Sequence, residues 1–454
     1  MHILYKYFIS WLLYLRILFC LFSFNHNLFR IISGKDHCNG LVRNLQLKRQ
    51  PKERQKMTDK NTGISCWEIF RRFLVLGCTS FGGPVAHLGY FREEFVTRRQ
   101  WFNDDTYADL IAFCQFLPGP ASSQVGMAIG LTKGGYAGLF AAWLGFTLPS
   151  AILMFLFAFG MLNLAYGGDN GWILGLKTTT VAIVAHALAG MASSLASDRK
   201  TASIAVLAMC IVFLMAGAAG QVMAIAAGGF IGLFWLKKDQ SEGEAEKLGN
   251  THAIGTSLIF LSVFAGLLVA LPLIAFHSGI LEWRLLDSFY RSGSLVFGGG
   301  HVVLPLLQAE MVESGLVGTD EFLAGYGLAQ AVPGPLFTFA SYLGAMAAPS
   351  STAALGALVA TAGIFLPSFF LVLGGLPLWE RFRKITRARN AMKGINAAVV
   401  GLLAAVFYDP VITATITGYQ PLLAAVVSYL LLRHWKLPPW ALIILAGVTG
   451  QFLF

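Results

Sequence analysis

A chain of 454 residues with 56% hydrophobic and only 12% charged side chains, at a mean hydropathy of +0.65, is excluded as an ordinary soluble domain, which carries about twice that charge. The net charge of +10 does not point to nucleic acid: the basic residues gather in short loops beside apolar runs, and no basic stripe is interleaved with exposed aromatics. Six cysteines (Cys20, Cys38, Cys66, Cys78, Cys114, Cys210) stand apart with no C-x-x-C spacing. That argues against a zinc site or a disulfide framework, and Cys78 and Cys114 read as small packing residues.

Residues 1–63 read as an N-terminal extension, cytoplasmic or non-native. The run Phe8 to Phe24 is apolar but contains Arg16, and no small-residue cleavage site follows it. A basic stretch ending at Lys56 comes next, and Met57 then precedes polar Thr58-Asp59-Lys60-Asn61. Met57 is the expected native start, or residues 1–56 are dispensable.

A first repeat is expected over 64–236. It holds Phe81-Gly82-Gly83-Pro84, then Gln115-Phe116-Leu117-Pro118-Gly119-Pro120, then Gly145-Phe146-Thr147-Leu148-Pro149-Ser150. Apolar runs follow near 134–159, 171–196, 201–216 and 219–236, most of them near the roughly 20 residues a span requires. Residues 237–284 form a linker, polar over 237–252 and carrying one further span at 254–276. The second repeat, 285–454, brings back the same blocks: Phe297-Gly298-Gly299-Gly300, Gln330-Ala331-Val332-Pro333-Gly334-Pro335 and Gly363-Ile364-Phe365-Leu366-Pro367-Ser368. The offsets are 297 − 81 = 216, 330 − 115 = 215 and 363 − 145 = 218. Spans near 352–377, 393–408, 411–432 and 438–454 complete it. A duplicated unit in a membrane chain points to a transporter.

Loop charge orients the copies. Loop 380–393 carries Arg381, Arg383, Lys384, Arg387, Arg389 and Lys393, whereas its counterpart 161–170 has only Asp169. Loop 92–105 has Arg92, Arg98 and Arg99, whereas 308–321 has Glu310, Glu313, Asp320 and Glu321 and no basic residue. Both pairs flip sign, so the fold class expected is an all-α polytopic membrane protein of two inverted-topology repeats, with 254–276 turning the second copy over. The motif regions enter and leave on one side, either as broken, re-entrant helices or as paired crossings; the loop charges favour re-entrance.

The blocks carry the chemistry. Adjacent glycines break a helix and expose backbone N–H groups that can hold an anion at a helix N-terminus. Proline cannot continue a helix but suits the first turn of the next one, so each P-G-P aims a half-helix end inward. Gln115 and Gln330 offer uncharged amide donors to an oxyanion or, equally, a helix–helix hydrogen bond. Ser122 and Ser123 follow the first P-G-P where Phe337 and Thr338 follow the second, so the first half is expected to be the main binding wall. His87 and His301 lie after the glycine blocks at non-equivalent places and are candidates for proton movement or plain structural histidines. Lys177 can attract an anion or reach to the interface, and Arg71 and Arg72 can face an anion path or lipid headgroups. Asp105 and Asp320 read as helix N-caps, Trp67 and Trp283 as interface markers, and Glu94 and Glu310 as solvated loop carboxylates, with proton binding or pairing with Arg92 or Arg98 as the alternative.

Phe81-Gly82-Gly83-Pro84 with His87, Leu117-Pro118-Gly119-Pro120, and the duplicated Phe297-Gly298-Gly299-Gly300-His301 with Pro333-Gly334-Pro335 resemble the chromate ion transporter (CHR, ChrA-type) family in its long-chain, two-domain form. The resemblance covers about 64–454 and leaves 1–56 without a counterpart. It implies a multi-pass protein of the plasma membrane that moves chromate, generally outward as a resistance determinant, with sulfate as the similar oxyanion.

The candidate substrate-binding set is Gly82, Gly83, Pro84, His87, Gln115, Pro118, Gly119, Pro120, Ser122, Ser123 and Lys177 from the first half. Gly298, Gly299, Gly300, His301, Gln330, Pro333, Gly334 and Pro335 complete it from the second. No catalytic residue, metal or cofactor is expected. The expected partners are chromate, sulfate as its analogue, the lipid bilayer and a second copy of the chain in a homodimer. Two alternatives stand beside this reading: transport or passive conduction of sulfate or another inorganic anion, and a membrane-embedded lipid-modifying enzyme. The second lacks the convergent acid–base or metal residues such an enzyme requires.

Overall fold

Proline, glycine and short polar residues divide the chain wherever a continuous helix is excluded. A computed structural model describes residues 64–164, 171–215, 217–236, 254–297, 300–379 and 386–453. The N-terminal extension 1–63, most of loop 161–170, the 237–252 segment, Arg381, Arg383 and Lys384, and the candidate residues Gly298 and Gly299 lie outside the described residues. The described residues form helices joined by short turns, with no strand among them.

Helix α1 (Cys66–Thr79) gives way to extended Ser80, and Gly82 and Gly83 take positive φ (102° and 79°) before α2 (Gly83–Arg92). A π-helical turn, Glu93–Arg98, leads to α3 (Asp104–Phe116), whose N-cap is Asn103, accepting from the Thr106 N–H at 2.7 Å. After Pro118-Gly119-Pro120 comes α4 (Ala121–Leu164), interrupted at Gly134 and Gly135. Then follow α5 (Gly171–Leu195), α6 (Arg199–Leu214) and α7 (Ala218–Trp235). Asp198 caps α6, its carboxylate accepting from the N–H groups of Lys200 and Thr201 at 2.8 and 3.1 Å. Helix α8 (Ile254–Ser278) stands between the two sets.

Beyond α8 the order recurs. Helix α9 (Leu281–Leu295) is followed by a 3-10 turn, Gly300–Val302, α10 (Val303–Met311) and α11 (Thr319–Ala331). A second 3-10 turn, Leu336–Thr338, leads to α12 (Phe339–Ala347), then α13 (Ala353–Gly375), α14 (Thr386–Val406), α15 (Tyr419–Arg433) and α16 (Pro439–Leu453). Helices α3 and α11 start 319 − 104 = 215 residues apart, and α6 and α15 start 419 − 199 = 220 apart.

Among the described residues, six helical segments are long and apolar enough to cross a membrane: Ala121–Leu162, Gly171–Leu195, Ala218–Trp235, Gly255–Ser278, Ala353–Leu378 and Arg387–Ile412. The expected spans 201–216, 411–432 and 438–454 fall on helices of 15 or 16 residues: α6 runs only from its Asp198 cap to Leu214, and the 407–418 region is broken before α15. The Gly255–Ser278 span is the least covered, with 11% of its apolar window buried; an apolar helix with so little protein around it is solvated by lipid. Helices α1, α2 and α3 have 14, 10 and 13 residues, about 15 to 21 Å at 1.5 Å per residue, short of a hydrocarbon core of about 30 Å.

Glycine brings the helices into contact, since lipid provides no hydrophobic drive between them and close packing must. A Cβ on Gly77 of α1 would lie 2.7 Å from the Phe146 carbonyl oxygen, and one on Gly145 of α4 2.6 Å from that of Phe70. The second half repeats the crossing with Gly293 of α9 against Ile364 of α13. Buried rings fill the remaining space: Phe73 packs against Phe91 and Phe95 with centroids 5.4 and 5.0 Å away, and Phe322 against Phe339 at 5.2 Å. Of the cysteines read as packing residues, Cys114 is buried but Cys78 is exposed.

Candidate functional site: a cleft between exchanged helix breaks

Each P-G-P ends one helix and starts another. Leu117 and Val332 are extended (ψ 146° and 138°), as a residue before proline prefers. Gly119 and Gly334 take φ values of 122° and 96°, where a side chain is strained. The Gly119 N–H donates to the Val296 carbonyl at 2.7 Å, and the Gly334 N–H donates to the Ser80 carbonyl at 2.9 Å. Ser80 and Val296 follow α1 and α9 directly, so each half's P-G-P is bonded to the chain just ahead of the other half's glycine block. The third block joins the exchange. A Cβ on Gly119 would lie 2.8 Å from Ser368 Oγ, and one on Gly334 2.8 Å from Ser150 Oγ. All three duplicated motifs therefore meet across the two halves.

This geometry changes the role of the P-G-P glycines. Their N–H groups are occupied by carbonyls and are not anion donors, and the flanking Pro118, Pro120, Pro333 and Pro335 have no N–H to give. What these residues do is hold the breaks together.

A cleft of about 260 Å³ opens beside the second break. Gly82, Gly83 and Pro84 of the first half line it together with His301, Gln330 and Gly334 of the second, and His186 of α5 lines it as well. Gly300 packs close by, where a Cβ would lie 3.3 Å from Pro84 Cγ. The cleft exceeds several-fold the roughly 10–15 Å³ that one water needs by the same measure, so it has room for a small polar ligand with part of its hydration. His301 is fixed by its Nδ1, 2.8 Å from Tyr326 Oη. His186 Nδ1 is buried and meets no hydrogen-bond partner among the described residues, while the Gln330 side chain is within hydrogen-bond reach of Tyr326. A buried donor left unmatched costs about 1–3 kcal/mol, so such groups in a cleft mark where a ligand or water belongs.

Other expected residues lie elsewhere. His87 is 1% exposed, with Nδ1 3.3 Å from Ser122 Oγ and its ring edge-on to Phe146, inside the packing of the first half. Ser122 and Ser123 are buried with it, and Gln115 faces outward from α3. The polar positions of the first half thus do not form the main wall of the cleft. Lys177 is buried and bound to Asp320, its Nζ 2.5 Å from Oδ1.

The carboxylates also differ from expectation. Asp105 and Asp320 are not N-caps: Asn103 and Gly318 hold those positions, and Asp320 instead pairs with Lys177. Glu94 and Glu310 are not free in solvent. Arg99 binds Glu94 at 2.7 Å and Glu68 at 3.1 Å; Arg291 binds Asp287 at 2.8 Å and Glu310 at 3.0 Å. Arg72 lies 3.8 Å from Glu68. A cavity of about 440 Å³ borders the Arg291 cluster.

Sequence reasoning passed over four residues. Ser150 and Ser368 were visible in the third duplicated block, but nothing local said that they face a glycine in the other half. Gln124 is buried, with Nε2 2.6 Å from the Pro118 carbonyl and 3.3 Å from Ser368 Oγ. His186 is a single histidine in an apolar helix, and its equivalent in the second half at the 219 offset that relates Lys177 to Asn396 is Ala405; no duplication drew attention to it.

The family model described as Chromate transporter matches twice, over residues 67–233 and 283–451. A chromate transport protein of Pseudomonas aeruginosa is 27% identical over 420 residues, covering 88% of this chain and 96% of the relative. An uncharacterized transporter of Methanocaldococcus jannaschii is 25% identical over 408 residues, covering 88% and 97%. A chromate transport protein of Cupriavidus metallidurans is 24% identical over 392 residues, covering 84% and 92%. No solved structure matches the chain.

Proposed function

The chain belongs to the chromate transporter family of multi-pass membrane proteins, and on that premise we propose that it carries chromate outward across the plasma membrane by alternating access. The moving parts are two repeats, 64–236 and 285–454, inverted relative to each other by the 237–284 linker and its helix α8. The reciprocal bonds Gly119 N–H to Val296 and Gly334 N–H to Ser80 are the observation that carries this reading. Two copies that swap equivalent contacts can swap which side is open, because the energy of the two arrangements is set by equivalent bonds. The opposite loop charges of the copies and the short α1, α2 and α3, which suit re-entrant segments lined by protein, support it further.

In this reading a tetrahedral dianion sits between the Gly82-Gly83 backbone, His301, His186 and the Gln330 amide. Sulfate has the same shape and charge and is expected to compete. The same donors would serve a channel, and movement against a gradient separates the two.

The test is chromate accumulation and tolerance in cells with and without the gene, with sulfate as competitor. Expression is expected to lower accumulation and raise tolerance, and sulfate to reduce the effect. Unchanged accumulation in cells with the protein in the membrane would refute chromate transport; movement only down the gradient in vesicles would leave a channel.

A further inference from the structure

We infer that a second cavity, lined by α8, α9 and α10, is a headgroup site for a phospholipid whose head carries both a phosphate and a primary ammonium, that is, phosphatidylethanolamine. The site is separate from the cleft and does not depend on what the protein transports.

The cavity holds about 440 Å³, within the range of small-ligand sites. Pro272 and Phe276 of α8 supply apolar lining, and Arg284, Asp287 and Arg291 of α9 and Glu310 of α10 supply charge. Helix length sets its depth. Helix α8 has 25 residues, about 37 Å at 1.5 Å per residue, against a hydrocarbon core of about 30 Å. Its last two turns, which carry Pro272 and Phe276, therefore stand where acyl chains meet headgroups. Trp283, directly before Arg284, is partly exposed and of the type that gathers at that level. Phe276 is 84% exposed on a helix with little protein around it, so acyl chains can lie against α8 while the head enters the cavity.

Charge selects the head. Arg291 binds Asp287 at 2.8 Å and Glu310 at 3.0 Å, and Glu313 is within electrostatic reach of Glu310. Two covered carboxylates thus share one guanidinium, and a negative charge left over inside protein is disfavoured until a cation balances it. The first half differs. Its matching carboxylate, Glu94 (310 − 94 = 216), stands with Glu68 beside two arginines, Arg99 and Arg72. Arg284 is exposed, two turns before Arg291 on α9, and meets no carboxylate at ion-pair distance among the described residues.

The cavity therefore joins an exposed cation to a covered surplus of negative charge. A dianion is repelled by the surplus, and an anionic head without a cation leaves it unbalanced. A zwitterionic head matches both. Its phosphate takes the Arg284 guanidinium, a donor fork suited to phosphate, and its ammonium gives N–H donors to Asp287 and Glu310. A quaternary ammonium has no N–H to give them.

The test uses the full chain purified in detergent and supplied with phosphatidylethanolamine, phosphatidylcholine or phosphatidylglycerol. Native mass spectrometry reads the lipid retained, and melting temperature reads its effect on the fold. One phosphatidylethanolamine is expected to be held about tenfold more strongly than either other lipid, the factor expected for lost charge-assisted hydrogen bonds. It should also raise the melting temperature, as a ligand of the folded state does. Arg284→Gln should lose the preference with unchanged melting in lipid-free detergent, and Arg284→Lys should keep most of it. Glu310→Gln should weaken phosphatidylethanolamine and strengthen phosphatidylglycerol, a reversal that a merely structural role would not produce. Equal retention of the three lipids, a preference for phosphatidylglycerol in the unaltered protein, or Arg284→Gln with the original preference would each overturn the inference. Displacement of the lipid by an equal concentration of soluble glycerophosphoethanolamine would overturn the lipid as occupant, since the α8 face would then add nothing.

Discussion

In the first half Gly119 lies against Gln124, whose amide bonds the Pro118 carbonyl at 2.6 Å and reaches Ser368 Oγ at 3.3 Å. In the second half the position equivalent to Gln124 is Phe339, by the 215 offset, and Gly334 faces Ser150 with no amide to fill the break. The first break is a polar plug; the second opens onto the cleft. The same contrast runs through the neighbouring residues. Ser122 is spent on His87, whereas the second half has Phe337 there. Polar side chains close the break in the first copy, whereas the break in the second copy borders a cleft lined from both halves. Two copies can thus differ in how their breaks are filled without losing the exchanged contacts that join them.

The largest effect is expected from the shared element. Gly119→Ala and Gly334→Ala should each reduce chromate transport at least about tenfold, since a side chain in left-handed backbone costs about 1–2 kcal/mol before any clash and 1.4 kcal/mol is a factor of ten. Uptake normalised to the amount of protein in the membrane checks this; near-normal transport by either would show that the exchanged breaks are not mechanistic.

Gln330→Leu against Gln115→Leu then asks whether sequence equivalence or position governs. Loss of the cleft amide, worth about 1–3 kcal/mol where buried, should weaken chromate affinity by about tenfold. Gln115→Leu, at an exposed position, should leave it within about twofold, and equal losses would put the binding wall in both halves.

Arg291→Gln and Arg99→Gln compare the two charge clusters. Arg291 is paired with carboxylates whose side chains are 7% and 11% exposed, whereas Glu68 beside Arg99 is 44% exposed. Arg291→Gln should therefore lower thermal stability in detergent by about 1–3 kcal/mol. Arg99→Gln should cost less, because one of its two partners, Glu68, is solvent-screened while only Glu94 is mostly covered. The reverse order would break the comparison.

The smallest effect concerns Asp198. Its carboxyl is held below the usual range chiefly by the Thr201 N–H and hydroxyl, with the Lys200 N–H adding to it. A folded-state value lower than the unfolded one stabilises above the unfolded value, and that stability is lost as pH falls through the folded one. Asp198→Asn should leave melting nearly unchanged near neutral pH while removing a little of the acid sensitivity, read from melting curves taken below about pH 4.

Much of the fold was legible because it is local chemistry. Pro118 and Pro333 stand just past helix ends and Gly82-Gly83 at a helix start, and the expected spans 171–196, 254–276 and 352–377 correspond to Gly171–Leu195, Ile254–Ser278 and Ala353–Gly375. The site was legible only in part. Gly82, Gly83, Pro84, His301, Gln330 and Gly334 do share a cleft. His87, Lys177, Ser122 and Ser123 have the right chemistry but are consumed by partners or packing, and a sequence does not record which polar groups have been satisfied by residues far along the chain.

The sequence by itself determined the duplication, the helix breaks and the apolar spans, because these follow from backbone sterics and side-chain hydropathy read over a few residues at a time. Only the tertiary structure decided that Gly119 bonds Val296, that Gly334 bonds Ser80 and that His186 joins His301 across one cleft. Those contacts join segments more than a hundred residues apart, and they depend on how glycine-lined helices pack rather than on any property of the residues alone.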